Sequence, residues 1–272
     1  MAPPAGPVKT PWRVPPQVAR PARVQWRKWV VRALSLLAFL GVWQAVSLTI
    51  DNPVLFPSLA ATGRALEQLV RTARFWQALG DSASVLFEGL GLAIVVGVVL
   101  GVLMGFWRTV EFALDPYVNI LNAMPRVALI PLIIIWFGIG GPARVVVVFL
   151  LAVIVVVINT YTGLRQVDPE YRELARSYCA NRWQELRDIA LPSSVPYIMS
   201  GIRLAVGHAI SGVVTAELLL SYSGLGGLLI ENSNLQATSY VYALAIIFAV
   251  LGVTLTEAAK FAEVVVTRGR KL

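Results

Sequence analysis

The sequence is poor in the residue types from which catalytic and metal sites are most often built. Among its 272 residues it has one cysteine, Cys179, and one histidine, His208. A single cysteine excludes an internal disulfide and a cysteine-rich metal site. No lysine follows a glycine anywhere, which excludes the GxxxxGK[ST] loop that binds nucleotide phosphates. We therefore expect this chain to have no catalytic residues, no bound metal and no cofactor of its own.

Charged residues are also scarce, at 14% of the chain against 57% hydrophobic residues. A typical water-soluble domain has about a quarter of its residues charged. Five runs contain no Asp, Glu, Lys or Arg, and several approach the roughly 20 residues that a helix needs to cross the hydrocarbon core of a bilayer. These runs are 33–50, 89–107, 127–143, 145–164 and 232–256. The composition therefore indicates an all-α integral membrane protein, in contact with membrane lipids.

The net charge of +8 is concentrated near the N-terminus. Residues 1–31 are basic and rich in proline, and no acidic residue precedes Asp51. Such a segment beside a hydrophobic run keeps the N-terminus in the cytoplasm, and its composition predicts a disordered tail rather than a nucleic-acid-binding domain. A cleaved signal peptide is the alternative, although no clear small-residue cleavage site follows the long apolar run. Residues 266–272 form a second basic tail.

Turn residues and charges divide residues 32–265 into about six transmembrane helices. Six crossings place both termini in the cytoplasm, in agreement with the basic residues near each end. We expect an outer amphipathic helix at 58–80 and an outer loop at 221–234. The crossings are expected at about 32–50, 84–107, within 114–141, and at 145–164, 196–220 and 239–261.

The second crossing has a small residue at every fourth position. Because residues four apart lie on one helix face, this stripe allows another helix to approach closely enough for its backbone to make dispersion contacts. The stripe therefore predicts a helix-packing surface, and it is also compatible with a dimer. Its members are Gly89, Ala93, Gly97, Gly101 and Gly105.

The third crossing contains two prolines, Pro125 and Pro131. Each proline removes a backbone donor, so the helix is expected to be kinked or to begin unusually deep in the membrane. Irregular backbone at membrane depth is tolerated where it is buried in protein or lines a cavity. Both prolines are therefore candidates for lining a translocation pathway.

A hydrophilic module, residues 165–195, interrupts the apolar sequence on the cytoplasmic side. Asp168 with Pro169 predicts one helix start, and Asn181 with Gln184 three residues later predicts a second, through a capping box. Pro192 and Pro196 are expected to end the module before the next crossing. A DNA-binding helix-turn-helix is disfavoured, because the module is tethered to the bilayer at both ends and its basic and acidic residues are equal in number. Two capped helices favour a docking surface over a solvated loop.

The module resembles the EAA loop of bacterial ABC importer permeases, with the pattern E-A-A, three residues, G, nine residues, I-x-L-P. The matching positions are Glu173, Leu174, Ala175, Cys179, Ile189, Leu191 and Pro192. Leu174 and Cys179 depart from the pattern, and a side chain at the usual glycine costs about 1 kcal/mol if the backbone there is left-handed. Other matching segments are LDP at 114–116, 123–140, 196–207 and the TAELL and GLGGLL motifs at 215–229.

The resemblance is closest to permeases for nitrate, sulfonate, taurine and bicarbonate, and it implies the type I ABC importer permease fold in the bacterial cytoplasmic (inner) membrane. It implies that the EAA loop docks on a separate ABC ATPase, present as a dimer, which binds ATP and Mg²⁺. A second copy of the permease and an extracytoplasmic solute-binding protein are also implied. The solute is expected to be a small anion, with a vitamin precursor or other small organic solute as the alternative.

Ionisable residues inside the fifth crossing are further candidates for the pathway or a gate. His208 and Glu217 fall there, and charge within a membrane helix is a functional hypothesis by default. For Glu217, a structural hydrogen bond is an equally good interpretation. The side chain of Arg203 is expected to extend to the cytoplasmic boundary of the membrane. An intramembrane enzyme would need Ser200 or Ser211 beside the histidine as a nucleophile, and the sequence contains no protease or metal-binding motif to accompany them. An ATP-independent carrier would leave the EAA pattern without a purpose.

Overall fold

The computed structural model describes residues 22–220 and 223–268, and this part of the chain contains helices and turns but no strands. Five of its helices are long and apolar enough to cross a membrane, and the number is six if one bent pair of helices counts as a single span. The prediction of an all-α fold with about six spans is therefore confirmed. The helices are α1 Ala22–Ile50, α2 Leu59–Val70, α3 Ala73–Phe106, α4 Arg108–Ala123, α5 Ile130–Phe137, α6 Gly141–Arg165, α7 Pro169–Ser177, α8 Arg182–Gln184, α9 Leu191–Leu220, α10 Gly224–Asn234 and α11 Thr238–Arg268.

The two chain ends differ from the predicted tails where the structure describes them. α1 begins at Ala22, so the second part of segment 1–31 is helical and was wrongly assigned to a disordered tail. Residues 1–21 lie outside the described residues. At the other end α11 continues to Arg268, which makes the first part of the predicted tail 266–272 helical as well, and residues 269–272 are again outside the described part.

Two predictions for the end of the helical bundle that lies away from the module are wrong: the single outer helix at 58–80 and the outer loop at 221–234. The segment 58–80 is divided, because α2 ends at Val70 and Thr72 caps a new helix by accepting a hydrogen bond from the Phe75 amide at 3.3 Å. The second span therefore begins at Ala73, well before residue 84. The segment expected to be an outer loop contains a helix, α10.

The third crossing is broken, as its two prolines predicted. α4 ends at Ala123, and Pro125 follows with φ −66° and ψ 97° before a 3-10 turn at Arg126–Leu129. Pro131 stands in the first turn of α5, where its missing donor breaks no helical hydrogen bond. The two halves are bent by 100° relative to each other. Both prolines are exposed in this chain.

The glycine stripe of α3 packs against α6 of the same chain. A Cβ built on Gly101 would lie 2.5 Å from the Cβ of Thr160, and one built on Gly89 would lie 2.7 Å from the Cβ of Val148. Gly97 and Gly105 have equally close neighbours on α6. The predicted helix contact is therefore confirmed. It is made within the chain, so the stripe is not a free surface for a second copy.

α9 covers a second face of α6 by the same means. A Cβ on Gly201 would lie 2.6 Å from the Cβ of Asn159, and one on Gly212 would lie 3.0 Å from the Cα of Val148. These two pairs are equally spaced along both helices, so α6 and α9 are antiparallel and in constant register. α3, α6 and α9 thus form a three-helix core in which α6 packs closely against α3 over residues 89–105 and against α9 along most of its own length.

α1 lies at the edge of this core. It contacts the rest of the chain near its C-terminal end, where the Trp43 ring packs edge-on against Tyr242 with centroids 5.2 Å apart and the Trp43 indole donates a hydrogen bond to the Pro57 carbonyl at 3.0 Å. Most of its large apolar side chains, such as Leu37 and Val42, are more than half exposed. This surface suits hydrocarbon surroundings and not water.

Candidate functional site

The hydrophilic module begins with a capped helix. The Glu170 amide donates a hydrogen bond to the Asp168 carboxylate at 3.0 Å, and α7 follows with Pro169 as its first residue. This is the start that the Asp-Pro pair predicted, because an aspartate oxygen satisfies a free amide and proline suits the first helical position.

α7 ends at the residue that departs from the EAA pattern. Cys179 has φ 55°, and the Ala180 amide donates back to the Ala175 carbonyl at 3.0 Å, which is the six-residue closure of a Schellman motif. Glycine is preferred at this position because a side chain is strained at positive φ. The backbone at the usual glycine position is therefore left-handed, and Cys179 occupies it with its side chain exposed.

The second helix of the module begins as predicted and ends elsewhere. Asn181 accepts from the Gln184 amide at 2.9 Å, and the Gln184 side chain accepts from the Asn181 amide at 2.8 Å, which completes the capping box. The helix then runs without a break from Arg182 to Leu220. Pro192 and Pro196 do not end the module, and that prediction is wrong.

A π-helical turn explains how the helix accommodates these prolines. At Glu185–Ala190 the backbone hydrogen bonds span five residues instead of the four of an α-helix. The Leu191 amide, for example, donates to the Leu186 carbonyl. A proline ring ordinarily clashes with the carbonyl four residues before it. The wider turn shifts the carbonyls that precede Pro192 and allows the helix to continue.

The module is anchored to the three-helix core through a small apolar cluster. Leu164, Val167, Leu186 and Ala190 are buried together. Beside them Arg172 donates to the Leu164 carbonyl at 2.8 Å and lies 3.8 Å from the Glu185 carboxylate.

The outward side of the module carries large apolar side chains that nothing in the described chain covers. The exposed fractions are 51% for Tyr171, 53% for Leu174, 81% for Tyr178 and 63% for Trp183. We call these four residues the outer face of the module. Of the residues that match the EAA pattern, Glu173, Leu174 and Cys179 are exposed, Ala175 is buried, and Ile189, Leu191 and Pro192 are half-buried.

At the far end of α9, Glu217 is completely buried and fully occupied by hydrogen bonds. Ser82 donates its hydroxyl to one carboxylate oxygen at 2.6 Å, and the Gly226 amide donates to the other at 2.8 Å. The Ser82 oxygen in turn accepts from the Leu225 amide at 2.9 Å, while Arg144 lies 3.9 Å from the carboxylate. Glu217 therefore closes the N-terminus of α10, which favours the structural interpretation of this residue.

The GLGG segment is the sequence feature that makes this arrangement possible. Gly224 has φ 72°, and a Cβ there would lie 2.1 Å from a Glu217 carboxylate oxygen. A Cβ on Gly226 would lie 2.5 Å from the Glu217 Cβ. Glycine is thus required for the backbone of α10 to reach the carboxylate.

His208 and Glu217 are not brought together. His208 is exposed on α9, whereas Glu217 is enclosed. Arg203 forms an ion pair with Glu263 of α11 at 3.2 Å. Ser200 donates no hydrogen bond to His208 and Ser211 donates to the Gly207 carbonyl within its own helix, so these described residues form no nucleophile and base pair.

Sequence reasoning missed one charged residue at membrane depth, Arg126. It follows the break at Pro125 and donates to the Leu151 carbonyl of α6 at 2.7 Å. An arginine inside a predicted crossing is itself a signal that the sequence offered.

Comparison with known proteins is consistent with this architecture. Residues 72–261 match the family model described as binding-protein-dependent transport system inner membrane component. The chain is 32% identical to the putative aliphatic sulfonates transport permease protein SsuC of Bacillus subtilis, over 82% of either chain. It is 29% identical to the taurine transport system permease protein TauC of Escherichia coli, over 84% of this chain and 87% of the relative. It is 31% identical to the riboflavin transport system permease protein RibX of Chloroflexus aurantiacus, over 94% and 96%.

Solved structures share the fold at lower identity. An inward-facing form of the MetNI methionine ABC transporter superposes with a TM-score of 0.62 at 17% identity, covering 70% of this chain and 94% of that chain. An amino acid ABC transporter superposes with a TM-score of 0.59 at 16% identity, covering 75% and 98%.

Proposed function

The chain belongs to the family of inner membrane components of binding-protein-dependent transport systems, and we propose that it forms the translocation pathway for a small anion. It is a multi-pass permease subunit of an ABC transport system. We propose further that a separate ATPase dimer binds ATP and Mg²⁺, that a second copy of the chain completes the pathway, and that an extracytoplasmic binding protein delivers the solute. Both termini and the module then lie in the cytoplasm.

The observation that supports the coupling role is the outer face of the module. Four large apolar side chains, each more than half exposed, project from a segment that is itself firmly capped and anchored. Clustered exposed apolar residues of this kind mark protein interaction sites. An ATPase subunit is the partner that such a face serves, because this chain has no phosphate-binding loop.

The route from the ATPase to the pathway is a single helix. The module's second helix continues into the crossing that carries His208 and Glu217. When ATP draws the two ATPase subunits together, each pushes its module, and the three-helix core follows as one body because its backbones are in contact. That movement opens the pathway to the outside, and hydrolysis resets it.

The solute class follows from the relatives and from the charge inside the membrane. The names of several relatives specify sulfonate, taurine, bicarbonate and nitrate, all of which carry a negatively charged oxyanion group, while others specify riboflavin and formylaminopyrimidine. Arg126 favours the first group, because a fixed positive charge at membrane depth attracts an anion and does nothing for a neutral solute. A vitamin precursor remains the second candidate on the strength of the riboflavin relative.

Glu173→Lys tests the docking assignment. We expect the variant to insert in the membrane normally and to lose most of the ATPase that copurifies with the chain, since a lysine replaces an exposed acid next to the outer face. Glu67→Lys makes the same charge change on exposed α2, at the opposite end of the bundle, and is expected to keep the ATPase. Wild-type recovery of the ATPase both with Glu173→Lys and with residues 173–180 deleted contradicts the assignment.

Uptake into vesicles separates the importer from its rivals. The chain, its ATPase and its binding protein are reconstituted together, and uptake is measured with and without ATP inside the vesicles. Uptake that needs ATP supports the proposal. Uptake of equal rate without ATP identifies a carrier instead.

A further inference from the structure

Arg126 lies at the middle of the membrane. Its guanidinium donates to the Leu151 carbonyl at 2.7 Å, and Leu151 is close to the midpoint of α6, which crosses the bilayer as Gly141–Arg165. The hydrocarbon core is about 30 Å thick, so this position is roughly 15 Å from either layer of lipid headgroups. A charge here is costly unless it faces protein, water or a ligand.

His208 lies at the same depth. Along the antiparallel contact of α6 and α9, Asn159 faces Gly201 and Val148 faces Gly212. In this register His208 is level with Ala152, one residue from the carbonyl that Arg126 binds. The imidazole is exposed, and the register places it level with the turn of α6 that holds the Arg126 guanidinium.

Arg126 also has no acidic partner among the described residues. No carboxylate in this part of the chain lies within 4.0 Å of it. Several other arginines are paired, as Arg74 is with Glu231, Arg144 with Glu217, Arg165 with Glu111, Arg172 with Glu185 and Arg203 with Glu263. The charge of Arg126 is thus left uncompensated at the depth where compensation matters most.

We propose that Arg126 and His208 form an anion site midway through the translocation pathway, where they bind the sulfonate, nitrate or carboxylate oxygens of the solute. This inference rests on the proposed function. A guanidinium offers paired donors that match two oxygens of a planar or tetrahedral oxyanion, and the low dielectric of the membrane strengthens the attraction. One donor atom is already held by Leu151, so the group is fixed in place before the anion arrives.

The site also explains how an importer releases what it binds. The site offers the permanent charge of Arg126 and one further donor from His208. Two side chains make fewer contacts with the anion than a high-affinity binding protein does. A weak site in the pathway attracts the anion and lets it leave again, as conduction requires. A neutral solute gains nothing from these two groups, and a cation is repelled.

Uptake by the complete transporter, with its ATPase and binding protein, tests the site. The probes are nitrate, bicarbonate, taurine and ethanesulfonate, with riboflavin as a neutral probe. For Arg126→Gln we expect roughly a 10- to 100-fold loss of anion uptake, the range of a hydrogen bond to a charged group, with ATP hydrolysis stimulated by the binding protein retained. Arg126→Lys keeps the charge and is expected to be intermediate. Arg64→Gln, on the exposed face of α2, is expected to match the wild type.

Cysteine labelling provides a readout that does not depend on transport. In a Cys179→Gly background the chain has no other cysteine, so His208→Cys introduces a single thiol. We expect it to react with the anionic reagent methanethiosulfonate ethylsulfonate faster than with a cationic analogue, and Arg126→Gln to remove that preference. Val95→Cys is the control, because Val95 is 63% exposed on α3 near the same depth. It is expected to react slowly with both reagents.

The outcomes separate the two proposals. If the wild-type transporter imports riboflavin and none of the anions, the proposed solute class is wrong. If it imports an anion and Arg126→Gln imports it at the wild-type rate, the anion site is wrong while the solute class stands. Equal labelling of His208→Cys and Val95→Cys, or a reagent preference unchanged by Arg126→Gln, also overturns the site, even where a variant is too unstable for transport assays.

Discussion

The three-helix core and the hydrophilic module are held together by different physics. In the core, glycines bring the backbones of α3, α6 and α9 into contact, and added side-chain atoms have no room. In the module, two helix caps and one small apolar cluster fix the chain, while its largest side chains point away from it. The core is specified by close packing at glycine positions, where no further side-chain atom fits between the helices. The module is specified by local hydrogen bonds.

This difference predicts how substitutions in each part affect the protein. A substitution in the core meets backbone that cannot move aside, so it is expected to act on folding. A substitution on the outer face of the module removes few contacts within the chain, so it is expected to act on partner binding and to leave stability nearly unchanged. Three substitutions test the comparison, in decreasing order of expected effect.

Gly101→Leu is the most direct way to break the core. A Cβ at this position would lie 2.5 Å from Thr160 and 2.8 Å from the Val157 carbonyl, so we expect destabilisation of about 3 kcal/mol or more and a large loss of folded protein in detergent. Gly91→Leu on the same helix has nothing within 4 Å of its Cβ and is the matched control. Equal thermal denaturation midpoints for the two variants would show that the close packing is not what holds α3 to α6.

Glu217→Ala tests the buried hydrogen bonds where the core meets α10. The variant leaves the Gly226 amide and the Ser82 hydroxyl without their acceptor and Arg144 without its counter-ion, so we expect a loss of about 2 kcal/mol, measured by thermal or denaturant unfolding. The exposed acid Glu257, replaced in the same way, is expected to change stability little. A Glu217→Ala variant as stable as Glu257→Ala would contradict the structural role assigned here.

Cys179→Gly is expected to have the smallest effect, and to stabilise. Glycine relieves the strain of φ 55° at the end of α7, a gain of about 1 kcal/mol in the free energy of unfolding. Cys179→Ala keeps the strain and removes the thiol, so it separates the two causes. Should alanine stabilise as much as glycine, the backbone conformation is not responsible.

The features that could be predicted from the sequence are those encoded by neighbouring residues. The capping box at Asn181, the turn near Cys179 and the helix-packing stripe on α3 each depend on a short pattern, and each is present. The broken third crossing followed equally from Pro125 and Pro131, because the missing amide donors are a property of proline itself.

What the sequence did not reveal depends on contacts between distant segments. The continuation of the helix through Pro192 relies on a π-helical turn that no local rule demands. Likewise the amides at the start of α10 are satisfied by Ser82, 143 residues away in the chain, together with Glu217 at the end of α9. Arg126 is far from His208 in the sequence, and only its bond to Leu151 and the register of α6 with α9 place the two residues at one level.

The unbroken helix from Arg182 to Leu220 has a consequence for timing. Its 39 residues measure about 58 Å, nearly twice the thickness of the hydrocarbon core. Both surfaces of the membrane are therefore joined by one continuous helix. We expect a displacement of its inner end to be carried to its outer end in the same step, with few intermediates in which only one face has responded.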